Sequence, residues 1–208
     1  MTSRGKAAPF LTLVLAASIV AGFAVPASRA QAETAPPFNV EFPQDSQVTI
    51  FSSTFGASRS GGRHHHGNDL MAPKLTPVYA AAEGVIAIVD TSSLAGRYVE
   101  IQHAGGWTTR YMHLNNDDPG TDNGGADWSL TVVAGLGVGS HVLAGQQIAF
   151  VGDSGNAEWT GSHTHFELAY ESRAIDPYPY LKDAFIRAQE IRAAAIRSTL
   201  RYGEDKLA

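Results

Sequence analysis

An antiparallel all-β domain followed by one C-terminal α-helix is the fold class that this sequence predicts. Three observations carry it. Short runs rich in β-branched and aromatic residues recur at close spacing, and Gly, Pro and Asp cut them apart; only beyond residue 181 does the composition turn to Ala, Arg, Ile and Leu. With 208 residues, 44% of them hydrophobic, the chain suits one domain with a real core and is short for two.

The elements follow in chain order. Arg4 and Lys6 precede an apolar run from Phe10 to Val25, which leads through Pro26 to Ala30, Gln31 and Ala32. This is the layout of a signal peptide cleaved after Ala32, assigned to residues 1–32. A spanning helix needs about 20 apolar residues, and this shorter run contains Thr12, Ser18 and Gly22, so no stable membrane insertion is expected after cleavage. Residues 33–47 are polar and broken by Pro36, Pro37 and Pro43, and read as a leader or linker. The body is placed at 48–181. Its expected strands are Val48–Phe51, Pro77–Ala80, Gly84–Val89, Arg97–Gln102, Trp107–His113, Gln147–Val151 and His163–Ala169, with a hairpin turn at Ala104-Gly105-Gly106. Residues 115–137 form a polar, glycine-rich excursion longer than ordinary connections, which is the mark of a functional or mobile loop. Phe185, Ile186, Ile191 and Ile196 recur at helical spacing in Leu181–Arg201. They predict the C-terminal helix, with Gly203 as its stop, in a tail region of 182–208.

Composition narrows the function. No cysteine is present, so packing and a bound metal are left to hold an exported domain together without disulfides. The chain has 15 Lys and Arg against 20 Asp and Glu, and loss of Arg4, Lys6 and Arg29 with the signal segment takes the net charge from −5 to −8. An acidic chain without a basic stripe is not expected to bind nucleic acid.

Five of the eight histidines fall in three patterns. In His65-His66-Gly67-Asn68-Asp69, an imidazole and a carboxylate are brought together across a turn that Gly67 allows to bend, a natural pair of zinc ligands. In His163-Thr164-His165, positions i and i+2 of a strand face one space. In Tyr111-Met112-His113-Leu114, one histidine closes an apolar strand. Taken singly, each pattern fits an exposed or structural histidine as readily as a functional one; their joint occurrence in one small β domain favours a metal site. His64, His66, His103 and His141 read as neighbours of the site or surface residues.

With these patterns the sequence resembles the lysostaphin-type (LytM-like) zinc metalloendopeptidases over about Phe51–Leu181. The matching stretches include Phe55-Gly56 with Arg59, Asp69-Leu70-Met71-Ala72-Pro73, Thr109-Arg110-Tyr111-Met112-His113-Leu114 and His163-Thr164-His165-Phe166-Glu167-Leu168. The resemblance implies a β-sheet domain of that peptidase type and one zinc ion held by His65, Asp69 and His165. It also implies His113 and His163 beside the metal as general base and oxyanion stabiliser, in an order that the sequence leaves open. Three protein ligands leave the fourth position of a catalytic zinc open. The implied activity is hydrolysis of peptide bonds of peptidoglycan, in stem or cross-link, by a secreted monomer of the cell envelope, in remodelling or lysis of the wall. The rival implication is a silent relative that binds the wall or activates a hydrolase; retention of all five residues favours the enzyme.

Departures from the family pattern are local. Thr164 stands where leucine is usual, on the face away from the histidine pair. The loop at 154–161 carries about two extra residues, so Trp159 is a candidate substrate contact, as is Arg59. The excursion after Leu114 is also long for the family and is a candidate wall or lid for the cleft.

Overall fold

A computed structural model describes residues 35–205; the signal peptide assigned to 1–32 lies outside these residues. Nine strands follow: β1 (Asn68–Met71), β2 (Pro77–Tyr79), β3 (Gly84–Ser92), β4 (Gly96–Gln102), β5 (Trp107–Leu114), β6 (His141–Val142), β7 (Gln147–Phe150), β8 (His163–Tyr170) and β9 (Arg173–Ile175). Helix α1 (Tyr178–Asp205) follows β9. The main sheet runs β1-β8-β5-β4-β3-β6 with β9 on β8, and β2 pairs with β7 in a small second sheet. Every pairing is antiparallel, as expected. No helix among the described residues is long and apolar enough to cross a membrane.

The core follows the period-two rule. Trp107, Thr109 and Tyr111 of β5 and Thr164, Phe166 and Leu168 of β8 are fully buried, joined by Leu70, Ile86, Val99 and Ile101 from the neighbouring strands. Burying a large apolar side chain of this kind contributes about 1.5–3 kcal/mol. A polar thread crosses the core: His103 Nδ1 donates to the Glu83 carbonyl and Nε2 accepts from the Thr109 hydroxyl group, at 2.8 Å each, and Tyr111 Oη accepts from the Ala81 amide at 2.7 Å. His103 is thus a buried structural residue and not the surface histidine that the sequence suggested.

Four expectations change. Residues 36–47 are part of the body. Val40 and Phe42 are buried, Gln44 bridges Val78, and Phe38 packs on Trp107, so residues 38, 40, 42 and 44 alternate onto one face despite the prolines around them. Val48–Phe51 forms only one bridge, Ile50 to Met71; its anchor is Phe51, which packs with Phe42 at 5.4 Å and Phe185 at 5.5 Å. Helix α1 starts at Tyr178, where Asp176 Oδ1 accepts the Tyr178 amide at 2.9 Å, and continues past Gly203. One glycine in a helix costs only about 1 kcal/mol and does not by itself end it.

The excursion at 115–137 is the fourth. Within it Asn115, Asp117 and Thr131 are buried. Lys74 Nζ lies 2.7 Å from Asp117, 2.5 Å from Asp122 and 2.9 Å from Asp153. Arg97 donates to Thr131 Oγ1 and the Ala126 carbonyl and lies over the Trp128 ring. The segment is pinned to the body at both ends.

Candidate metal centre and catalytic groove

Strand β8 sets the site. His163, His165 and Glu167 share its outer face, and β1 lies beside it with Asp69 opposite His165. His65 enters from the preceding loop, held by hydrogen bonds between Gly56 and the His65 carbonyl and between His65 and the Ala57 carbonyl. A Cβ at Gly67 would collide with the Phe166 carbonyl, and Gly67 is not in the left-handed region. The glycine therefore serves the close approach of the loop to β8, and not the sharp bend that the sequence suggested.

Three donor atoms meet. His65 Nε2 is 3.0 Å from Asp69 Oδ1 and 2.8 Å from His165 Nδ1, and the last two are 2.9 Å apart. His65 Nδ1 lies 2.9 Å from the Thr54 carbonyl, which can only accept, so the ring proton belongs there. His165 Nε2 lies 3.2 Å from Glu167 Oε1, which holds its proton in the same way. Each ring thus turns a lone pair inward towards a carboxylate oxygen, an arrangement that a cation reconciles. Arg59 Nη2 holds the other oxygen, Asp69 Oδ2, at 2.8 Å. Burial disfavours ionised Asp69, but the His165 and His65 imidazoles against it outweigh that and hold the carboxyl well below the usual range. Burial also disfavours a charged His165, yet the Asp69 and Glu167 carboxylates against the ring prevail and raise its pKa: the inward position attracts positive charge, which a proton or a cation can supply.

His113 and His163 stand beside the triangle, with ring centroids 4.9 Å apart. His113 Nδ1 donates to the Ser154 carbonyl at 2.9 Å and His163 Nδ1 to the Gly161 carbonyl at 2.8 Å. Both rings therefore keep Nε2 free of its proton; His163 Nε2 lies 3.8 Å from Asp69 Oδ1. Burial, with the His163 ring beside it, pushes His113 down to about 4, and burial also lowers His163. His113 departs from the alternation of its strand. Its φ is +59°, and the β4–β5 register slips between Arg97 and Val99. The bulge turns Met112 and His113 to the same groove, where simple alternation would have parted them.

The groove has a volume of about 980 Å³. Arg59, Arg63, His64, His66, Met71, Leu94, Tyr98, Arg110, Asn156 and Thr160 line it around the five residues above. Arg59 thus lies in the groove with its guanidinium on Asp69, whereas Trp159 is 91% exposed and outside the lining, and no residue of 115–137 reaches it. Glu167 is the residue that the sequence reading passed over, although position i+4 of the strand that holds His163 and His165 marked it.

Comparisons with known proteins agree with this geometry. Residues 63–122 match the family described as Peptidase family M23. Peptidoglycan DD-endopeptidase ShyA of Vibrio cholerae is 33% identical over 112 residues, which cover 54% of this chain and 22% of that protein. The chain spans between 22% and 28% of the length of the first three curated relatives that it matches. Among solved structures, a zinc containing peptidase from Vibrio cholerae superposes with a TM-score of 0.53 at 28% identity, covering 66% of this chain and 39% of that one. The catalytic domain of lysostaphin from Staphylococcus simulans superposes with a TM-score of 0.51 at 27% identity, covering 64% and 92%. On motif, fold and site together, the chain carries a domain of peptidase family M23, the lysostaphin/LytM type.

Proposed function

We propose that this chain is an exported, zinc-dependent endopeptidase that hydrolyses peptide bonds of peptidoglycan, in stem peptides or cross-links. The observation that carries the reading is the triangle of His65 Nε2, Asp69 Oδ1 and His165 Nδ1, whose edges are 2.8–3.0 Å and whose ring protons are both held outside it. Two imidazoles and one carboxylate are a donor set that suits zinc with a position left open for water. When bound, zinc would polarise the scissile carbonyl and make a water nucleophilic near neutral pH.

The chain's own residues supply the rest. A neutral imidazole with a free Nε2 accepts the proton of the attacking water and returns it to the leaving amine. Both His113 and His163 are held ready for this by their backbone carbonyl partners. The second ring then stabilises charge on the substrate oxygen once it carries a proton. Arg59 on Asp69 Oδ2 leaves Oδ1 as the carboxylate's inward donor. The groove is open enough for an extended peptide, and the peptidoglycan endopeptidase named among the relatives supports that substrate class.

Incubation of purified peptidoglycan with the protein, with and without a chelator, followed by mass analysis of the released fragments, tests this. Expected are fragments with new amino and carboxyl ends, lost with the chelator and restored by zinc. Peptidoglycan left intact by zinc-loaded protein overturns the hydrolytic reading.

A further inference from the structure

We propose that Glu167 is a positioning residue that selects the tautomer of His165, and that a row of alternating charges across three strands holds it there. The inference rests on the zinc reading above and adds a residue to that centre.

Histidine can bind a cation through either nitrogen, and the proton on the other nitrogen decides which. His165 turns Nδ1 to the triangle, so its proton must sit on Nε2. The acceptor that keeps it there is Glu167 Oε1, two residues along the same strand face. The carboxylate is occupied at both oxygens, since Oε2 takes Arg110 Nη1 at 3.1 Å. Arg110 in turn is fixed by Glu100 Oε2, at 3.0 Å from Nε and 2.5 Å from Nη2. Glu100, Arg110 and Glu167 are direct register partners on β4, β5 and β8. Without Glu167 the His165 proton is free to move to Nδ1, where an N–H would point at the place a metal must occupy. Arg110 contributes by keeping the carboxylate ionised and aligned with the ring. His65 has its acceptor in a backbone carbonyl; His165 has it in a side chain, which makes its orientation open to substitution.

The test measures zinc affinity of the full chain by competition with a chromogenic chelator. Glu167→Met removes the acceptor and should weaken zinc binding by about 10–100-fold. Glu167→Gln keeps a weaker neutral acceptor and should fall between Met and wild type. The double variant R110M/E167M separates positioning from charge balance: it should bind as weakly as Glu167→Met, whereas restored affinity would mean that Glu167 merely neutralises Arg110. Long-range nitrogen NMR on the metal-free protein, at a pH where the ring is neutral, should show His165 protonated at Nε2 in the wild type and mixed in Glu167→Met. Wild-type affinity in both Glu167→Met and Glu167→Gln overturns the inference and leaves the zinc centre standing. A wild-type chain that takes up no zinc overturns both. Should Glu167→Met fail to fold, Glu167→Gln decides alone.

Discussion

His113 joins a backbone cost to the chemical role proposed for it. Left-handed φ costs an L residue roughly 1–2 kcal/mol, and here it turns the ring into the groove beside His163. Asparagine tolerates that φ well, so His113→Asn should fold and bind zinc as the wild type does, while peptidoglycan hydrolysis falls by about 10²–10⁴-fold. Zinc content and rate measured on the same sample check this; unchanged turnover would remove His113 from the mechanism. His163 and His165 were conspicuous in the sequence because histidine repeated at strand spacing is unusual, and His113 because it closes an apolar strand in a motif of the family that the sequence resembles. The distribution of roles among them was not, since it depends on which ring nitrogen faces which carbonyl, and partners such as Ser154 and Gly161 carry no signal in their residue type.

At the scale of elements, the central strands were legible from β-branched and aromatic runs, and β4, β5, β7 and β8 fall within a residue or two of their expected bounds. The short β1, β6 and β9 were not, because two to four residues offer too little alternation to read and are strands only through their neighbours. The 115–137 excursion was visible as an excursion, but its fastening was not. Lys74 gathers Asp117, Asp122 and Asp153 from distant parts of the chain. Burial works against the charge on Lys74, but its hydrogen bonds with the three carboxylates prevail and raise its pKa. Lys74→Met leaves these carboxylates facing one another around a buried Asp117, and should lower stability by about 2–3 kcal/mol. Thermal unfolding checks the loss, and proteolysis should cut first within 115–137; an unchanged melting temperature would show that the staple contributes nothing.

For the whole molecule, stability and charge are coupled through buried histidines. His103 is held neutral by burial, which lowers its pKa despite the Glu83 carbonyl that favours the charged ring. The unfolded chain binds a proton at this ring more readily than the folded one, so the stability is present above the unfolded pKa and is lost as pH falls below it. The melting temperature of the wild type should therefore drop as pH is lowered from about 7 to about 5, and His103→Gln should flatten part of that slope. Equal slopes would show that His103 is not a source of the acid sensitivity.

Sequence by itself determined the fold class, the positions of the main strands along the chain and the identity of the five residues at the centre. Alternation, turn residues and metal-ligating side chains are local properties, written in a few neighbouring positions. Tertiary structure decided what depends on positions far apart. It brought His65 within 2.8 Å of His165 across a hundred residues, docked the segment at 36–47 as part of the body, bent β5 so that His113 meets His163, and set Glu167 against Arg110 and Glu100. The physical reason is that a donor triangle and a charge row exist only as distances between side chains, and sheet register and backbone approach, not residue type, set those distances.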